Sequence, residues 1–315
     1  MDWIALPDAA VRQSIDSATV FAEFQRVQGE ARSVAGGMYF KRQGPYEYLV
    51  RTSPDNRQQR IGPRTAETED IHARFIARKS RIEARHKSLR DAVREAERLN
   101  KALKVGRVPA IVVALLQALH EAGLAEHFRV VGTHALYAYE SAAGVRITPG
   151  ALATQDVDLL WDARRRVRFL ADMARLDSSL LDVLRRADRS FERKEDQLET
   201  AINARGFEVD FLRRQPQDDD PRPFRFSDDE GDLWPVQARR AAVLASAPVF
   251  EQVVVATTGA MALMRTVEPR TFVEFKRWMA TQPSRPAPRR QRDARQADIV
   301  QAMLDDALIA PHEQV

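Results

Sequence analysis

The segment TQDVDLLW, residues 154–161, places two aspartates at the start of an apolar run that is typical of a buried strand. Because residues i and i+2 of a strand project from the same face, Asp156 and Asp158 lie side by side and Val157 points the other way. The segment FEVDFL, residues 207–212, has the same pattern and carries Asp210 on its polar face. We expect the two strands to be neighbours, so that the three carboxylates converge.

Converging carboxylates need a cation between them, because buried charges of one sign repel each other and are costly without a partner. Oxygen ligands of this kind suit Mg²⁺ or Mn²⁺ and leave room for phosphate oxygens. Asp156, Asp158 and Asp210 are therefore the predicted metal ligands and catalytic residues. A purely structural role for the first two is the alternative. Acids also cluster at 218–220 and 228–230, but these lie in polar stretches that predict solvated loops.

The composition narrows the class of protein. The 315 residues suffice for two domains, or for one domain with additions. The lack of cysteine excludes a disulfide framework and a thiolate metal site. The N-terminus does not have the pattern of a signal peptide, and no apolar run approaches the roughly 18 residues of a membrane span. We therefore predict a cytoplasmic protein of bacterial type.

Arginines are concentrated at 57–64, 164–168, 185–193 and 285–295, in a chain with a net charge of +4. Such clusters suit anionic partners such as nucleotides or RNA. They are also common on solvated helix faces, and the sequence leaves both interpretations open.

The apolar pattern predicts an α+β fold in three regions. The N-terminal region, 1–106, has a helix at 7–35, a β-hairpin at about 38–53 and a long helix at 67–105. The core, 107–215, has strands at 128–131, 155–161 and 207–212 among helices at 109–123, 133–143, 165–187 and 198–204. After a linker at 215–223, the C-terminal accessory domain, 216–315, has a hairpin at 249–267, a helix from 269, an exposed connection at 284–292 and a last helix at 293–308.

The long helix at 67–105 carries one narrow apolar seam, in which Phe75, Ile82 and Leu89 recur every seven residues. A seam of this kind packs on one partner surface. The partner is either the rest of the chain or a second subunit, so oligomerisation through this helix is one possible outcome.

The segment VVGTHAL, residues 130–136, reads as a strand, a glycine turn and the start of a helix. Gly132 lets a phosphate approach the backbone closely, and the N-terminus of a helix attracts anions. Thr133 is expected to cap the helix and to donate its hydroxyl to a phosphate oxygen. The alternative is an ordinary turn.

Several other side chains are weaker candidates. Lys276 lies within the helical segment FVEFKRWM. It either reaches a triphosphate or buries its aliphatic chain and keeps its ammonium group in water. The remaining candidates are arginines for phosphates or an acceptor RNA, a histidine for the nucleotide and two tyrosines for a base, each with a structural alternative: Arg289, Arg290, Arg292, His134, Tyr137 and Tyr139. Three tryptophans are predicted to be packing residues: Trp161, Trp234 and Trp278.

The order Gly132-Thr133, Asp156-x-Asp158 and Asp210 resembles the nucleotidyltransferase superfamily that includes DNA polymerase beta, over about residues 108–215. GTHALYAYESAAGV and TQDVDLLWDARRR look closer to a bacterial nucleotidyltransferase-like family of poorly defined substrate. A more distant likeness is to nucleotidyltransferase toxins of abortive-infection systems. Thr133 replaces the usual Gly or Ser. The 24 residues from Gly132 to Asp156 exceed the usual spacing, so we expect an extended hairpin around 149–150.

The resemblance implies a small mixed sheet with helices and an enzyme that uses two Mg²⁺ or Mn²⁺ ions. Such an enzyme transfers a nucleoside monophosphate from a nucleoside triphosphate, ATP among the candidates, to a hydroxyl of RNA, protein or a small molecule, and releases pyrophosphate. Asp156, Asp158 and Asp210 would hold the metal, and Gly132, Thr133 and Lys276 would bind the nucleotide. The alternative is a non-catalytic RNA- or protein-binding module on the same fold. A phosphohydrolase lacks support, because the sequence has no His-Asp pair of metal-binding type nearby.

Overall fold

The computed structural model describes residues 2–152, 154–216 and 224–309, in two compact units. Arg12–Leu99 forms the smaller unit, and the described residues before and after it form the larger one. The helices in the described residues are α1 (Asp8–Ser33), α2 (Ala66–Ala102), α3 (Ala110–Glu121), α4 (Leu136–Ala143), α5 (Arg166–Leu176), α6 (Leu180–Ala187), α7 (Ala241–Ser246), α8 (Pro269–Ala280) and α9 (Ala287–Asp305). The strands there are β1 (Trp3–Ala5), β2 (Gly37–Gln43), β3 (Tyr46–Thr52), β4 (Gln58–Pro63), β5 (Phe128–Val131), β6 (Val145–Ile147), β7 (Asp156–Trp161), β8 (Glu192–Arg193), β9 (Thr200–Ile202), β10 (Glu208–Arg213), β11 (Val236–Gln237), β12 (Val249–Val255) and β13 (Met261–Val267).

A mixed sheet forms the centre of the larger unit. Its strand order is β5-β7-β10-β9-β8, and β11 pairs with the end of β10. β7 and β10 are adjacent and parallel, while β5 and β9 flank them in the antiparallel direction. This combination of helices with a mixed sheet confirms the predicted α+β class.

One face of β7 and β10 is buried in an apolar core. Val157 and Leu159 alternate with the aspartates of β7, and Val209 and Phe211 alternate with Asp210; each is at most 2% exposed. Aromatic rings continue this core in edge-to-face contacts, such as Phe128 with Phe211 at 5.6 Å between ring centres. Pairs of this geometry add about 0.5–1.5 kcal/mol beyond the burial of their area. The core therefore fixes the strands that present the aspartates.

The C-terminal helices belong to the same packed core. Phe272 and Val273 of α8 and Val300 and Met303 of α9 are each at most 2% exposed and join the cluster that surrounds the sheet. α8 starts at Pro269, where the side chain of Glu268 accepts hydrogen bonds from the first backbone N–H groups. The region boundaries at 106 and 215 stay a prediction.

The smaller unit explains the apolar seam of the long helix. Ile82 and Leu89 of α2 pack against Val27 of α1 and against Val34, which follows the last residue of α1. Phe24, Ala31 and Phe75 lie at the edge of this cluster. The seam is therefore covered within the chain. Oligomerisation through this helix stays a prediction.

The structure corrects two of the predicted elements. The hairpin at 38–53 has a third strand, β4, which sequence patterning missed because nearly all of its side chains are exposed. The short helix predicted at 198–204 is wrong: Thr200–Ile202 is a strand that pairs with β10. Three residues are too few for a helical or a strand period to be recognised.

Two further expectations about connections are wrong. The extended hairpin expected around 149–150 is absent from the described residues; that stretch holds β6, which pairs with β1, and a short 3-10 turn. The connection expected at 284–292 is already helical from Ala287, because Pro288 occupies the first turn of α9, where proline is compatible with a helix. The acids at 218–220 and most of the linker at 215–223 lie outside the described residues. Within the described part of the chain, no helix has both the length and the apolar character needed to cross a bilayer.

Candidate active site

The three predicted aspartates meet on one face of the central sheet. Asp158 is directly opposite Asp210 in the parallel register of β7 and β10, and Asp156 is opposite Glu208. Each of the three aspartates offers a carboxylate oxygen, and these oxygens all lie within 4.8 Å of one another. Glu208 does not join them, because Lys194 forms an ion pair with it at 3.0 Å.

Two of the three carboxylates, those of Asp158 and Asp210, have raised pKa values. Burial, with added repulsion from Asp156 and Asp210, raises the pKa of Asp158 to about 7. Burial also raises the pKa of Asp210, although a hydrogen bond from Thr200 Oγ1 to its Oδ1, at 2.6 Å, works in the opposite direction. Asp156 accepts a hydrogen bond from Thr154.

Two cations near the cluster, Lys276 and Arg285, form ion pairs with a different carboxylate, that of Asp293. Lys276 Nζ lies 2.9 Å from Asp293 Oδ1, and Arg285 Nε lies 2.5 Å from Asp293 Oδ2. Asp293 is fully buried and Lys276 is 3% exposed. Burial lowers the pKa of Lys276, while Asp293 and Asp158 raise it. Within the described residues, none of the three aspartates forms a salt bridge with lysine or arginine, so their oxygens stay available to a metal ion.

Gly132 lies against the aspartate cluster. Its φ is +70°, and a Cβ at this position would overlap Oδ2 of Asp158. Glycine is therefore required here both for its left-handed backbone and for the close approach of the carboxylate. The sequence predicted a close approach at Gly132 but assigned it to a phosphate.

Thr133 does not cap a helix, so that expectation is wrong. It is the second residue of a 3-10 turn, Gly132–Ala135, and no side chain caps the start of this turn. Its hydroxyl oxygen instead accepts a hydrogen bond from Gln296 Nε2 of α9 at 3.2 Å, and Gln296 also donates to the carbonyl of Ala151 at 2.7 Å. Sequence analysis missed Gln296, since nothing in its local pattern distinguishes it from other polar helical residues.

The aspartates open onto a cavity of about 740 Å³. It has three kinds of wall. The first wall consists of Gly132, Thr133 and the aspartates. The second consists of cations, and the third consists of aromatic and aliphatic side chains of α7 and α8. The cations are Lys276, Arg239, Arg285, Arg289 and Arg292, and the apolar group includes Ala241, Leu244, Phe275, Trp278 and Met279.

The arginine clusters separate in the structure. Arg289 and Arg292 line the cavity, whereas Arg290 is not among its lining residues. Arginines of two other clusters pair with surface carboxylates, as Arg165 and Arg168 do with Glu126. The first cluster, 57–64, lies on and beside β4 of the smaller unit.

The remaining candidates divide between core and cavity. His134 is buried, and burial lowers its pKa to about 4; its ring contacts Tyr137 and Phe207. Tyr139 is fully buried and donates to the carbonyl of Val267 at 2.6 Å. These side chains pack in the core, as does Trp161.

Trp278 differs from the prediction. It is only partly buried and lines the cavity beside Phe275, with the guanidinium carbon of Arg240 4.8 Å from its ring centre. The helical period of the sequence identified one apolar face of α8. It could not show which side chains on that face border a cavity.

Comparison with known proteins gives one match. The sequence model of a family described as nucleotidyltransferase matches residues 110–314, more than half of the chain, and this range contains every cavity residue named above. Neither the curated proteins nor the solved structures provide a match.

Proposed function

Because the chain belongs to the nucleotidyltransferase family, we propose that it transfers a nucleoside monophosphate from a nucleoside triphosphate to a hydroxyl group, with release of pyrophosphate. The observation that carries this proposal is the convergence of three unpaired carboxylates at the wall of a cavity that also holds several cations. The acceptor hydroxyl belongs to RNA, to a protein or to a small molecule.

Asp156, Asp158 and Asp210 fit a pair of divalent cations, Mg²⁺ or Mn²⁺. The donors are all oxygens and lie within 4.8 Å of one another. Burial, with repulsion from Asp156 and Asp210, raises the pKa of Asp158 even though Lys276 and Arg285 act in the opposite direction. Bound metal would lower the pKa of the acceptor hydroxyl and offset the charge that develops on the phosphates.

The chain's own groups would position the reaction. The acceptor oxygen forms a bond to the α-phosphorus, the bond to the bridging oxygen of pyrophosphate breaks, and the hydroxyl proton passes to a base. Asp210 is the proposed base, because its carboxylate lies within the cluster and burial raises its pKa above that of an exposed carboxylate. Thr200 holds Oδ1 of Asp210, which fixes the direction of the carboxylate.

The cationic wall suits the triphosphate. Asp293 pairs with both Lys276 and Arg285, so this trio carries one net positive charge, and Arg289 and Arg292 add to it. Thr133 Oγ1 accepts from Gln296, which leaves its own hydrogen to donate to a phosphate oxygen. Gly132, Thr133 and Lys276 therefore remain our candidates for nucleotide binding.

The apolar wall suits the base. Phe275 and Trp278 lie side by side with their ring centres 5.9 Å apart. A nucleobase stacked on an aromatic ring gains about 1–3 kcal/mol. We place the base against Trp278, which leaves the triphosphate between the cations and the aspartates.

The test is transfer of label from each of the four α-labelled triphosphates to total cell RNA, to protein or to small molecules, with Mg²⁺ or Mn²⁺ present. We expect one acceptor class to become labelled, and Asp158→Ala to reduce labelling to background. Glu208→Gln is the matched control, because it removes a carboxylate from the same strands that is already paired with Lys194. No labelling of any acceptor, or equal loss in both variants, would contradict the proposal.

A further inference from the structure

One face of the sheet in the smaller unit carries three tyrosines, and we call it the tyrosine face. Cross-strand register places Lys41 opposite Tyr48, Gln43 opposite Tyr46 and Tyr39 opposite Val50. Paired residues project from the same side of a sheet. The tyrosine face comprises Tyr39, Lys41, Gln43, Tyr46, Tyr48, Val50, Thr52, Gln58 and Arg60. Val50, at its centre, is covered and only 5% exposed.

The opposite face of this sheet is occupied by α2. Phe40 contacts the ring of His72, and the guanidinium carbon of Arg51 lies 4.3 Å from the ring centre of Phe75. Within the smaller unit, the tyrosine face is therefore the side of the sheet turned away from α2. Tyr46 is 63% exposed and Tyr39 is 39% exposed, and among the described residues no other aromatic side chain is as exposed as these two.

The tyrosine face carries two cations, Lys41 and Arg60, and no acid, while Arg42 and Arg51 project from the opposite side of the sheet. Residues 37–64 contain six basic and two acidic residues, an excess of +4 that equals the net charge of the whole chain. Both acids are already paired, Glu47 with Arg64 and Asp55 with Arg57, each at 2.8 Å. Arg60 extends the aromatic surface, since its guanidinium carbon lies 3.1 Å from the ring centre of Tyr48. An anionic partner with flat rings complements this surface.

We propose that the tyrosine face binds single-stranded RNA. Bases would stack on Tyr39 and Tyr46, and Lys41 and Arg60 would contact the backbone phosphates. A duplex keeps its bases stacked inside and offers no free ring to a tyrosine. The amide of Gln43 can donate to and accept from a 2′-hydroxyl, and Gln58, whose Oε1 accepts from Lys41 Nζ at 3.1 Å, can donate its N–H groups to one, which favours RNA over DNA. RNA binding here does not depend on nucleotidyl transfer.

The test is fluorescence anisotropy of the full-length protein with a labelled, unstructured 12-nucleotide RNA of alternating C and A. We expect the double variant Tyr39→Ser/Tyr46→Ser to weaken binding by about tenfold or more, because each lost stack removes a favourable contact. The matched double variant Tyr39→Phe/Tyr46→Phe keeps both rings and should bind like the parent. We expect Lys41→Gln to reduce the dependence of log affinity on log salt by about 0.7, and Arg94→Gln, an equal charge loss on α2, to leave it unchanged.

Other outcomes would overturn the proposal. Unchanged affinity in the serine variant, with parental thermal stability, would remove the tyrosines from the interface. Equal or tighter binding of duplex RNA or single-stranded DNA would contradict the assignment to single-stranded RNA. A dimer seen by sedimentation and abolished by the serine substitutions would make this face a contact between two copies of the chain. Asp158→Asn should bind RNA like the parent, which separates failure of this proposal from failure of the proposed enzyme activity.

Discussion

Burial and repulsion from Asp156 and Asp210 raise the pKa of Asp158 from its ordinary value of 3.8 to about 7. Well below pH 4 the carboxyl is protonated in both the folded and the unfolded chain and contributes nothing to the pH dependence. As the pH rises from 4 to 7, the unfolded chain loses this proton first, so ionisation favours unfolding. Asp158 should therefore lower the stability of the metal-free protein at neutral and higher pH.

We predict that Asp158→Asn stabilises the metal-free protein at pH 8, by on the order of 2 kcal/mol, and by much less at pH 4, where the folded carboxyl is protonated. Urea denaturation in the presence of a chelator at both values of pH measures this difference. Addition of Mn²⁺ should then stabilise the parent alone, because only the parent retains the full set of ligands. A variant that is less stable than the parent at pH 8 without metal would contradict the electrostatic account.

Gly132 provides a second prediction for a single side chain. Gly132→Ala places a Cβ in the left-handed region and against Asp158, so it should both destabilise the protein and displace the carboxylate. Gly123→Ala is the matched control: Gly123 has φ +75°, but a Cβ there meets no atom within 4 Å. Both variants should lose about 1–2 kcal/mol from the backbone conformation, measured by urea denaturation. Only Gly132→Ala should also lose nucleotidyl transfer, and retention of full activity in that variant would contradict the close approach to Asp158.

The α8–α9 pair presents a buried ionic network to the cavity. Removing one partner of a buried pair typically costs about 3–5 kcal/mol, whereas replacing both with apolar side chains is often neutral. Asp293→Ala should therefore strongly destabilise the chain. Lys276→Met/Asp293→Leu should recover part of that loss, because the buried lysine is removed with the carboxylate while the partly exposed Arg285 loses its partner. Chemical denaturation measures both.

The same double variant separates stability from nucleotide binding. If Lys276 contacts the triphosphate, Lys276→Met/Asp293→Leu should fold well but show a raised KM for the triphosphate. A folded double variant with the parental KM would remove Lys276 from the nucleotide site.

The α2 seam can be tested against an exposed position of the same helix. Ile82 is 5% exposed in the cluster with α1, whereas Ile76 is 44% exposed. Ile82→Ala should cost about 2–4 kcal/mol, and Ile76→Ala should stay within about 0.5 kcal/mol, both measured by urea denaturation. Equal effects, or stability that depends on protein concentration, would indicate that the seam contacts a second chain.

Across the whole molecule, the apolar pattern of the sequence predicted the strands that carry the aspartates and the long helices. Alternation in QDVDLLW and FEVDFL indicated buried strands with their aspartates on one face, and those strands are adjacent in the sheet. Long helices with a clear apolar period, such as α1 and α2, were also found close to their predicted bounds. Short elements such as β9 and exposed ones such as β4 were missed, because neither contains enough apolar residues to show a period.

The cationic and aromatic walls of the cavity could be predicted only in part. Arg285, Asp293 and Gln296 lie more than 120 residues after Asp158 in the chain, and only tertiary packing of α8 and α9 brings them near it. No spacing rule connects such distant positions. These residues could therefore be identified as neighbours of the aspartates only from the fold.

Mn²⁺ binding to the full-length protein, followed by electron paramagnetic resonance in the presence of a non-hydrolysable triphosphate analogue, is the most direct test of the three aspartates as metal ligands. We predict two bound Mn²⁺ ions per chain, loss of this binding in Asp158→Asn, and parental binding in Glu208→Gln. Mn²⁺ binding that is absent from the parent, or unchanged in Asp158→Asn, would contradict the metal site and with it the proposed chemistry.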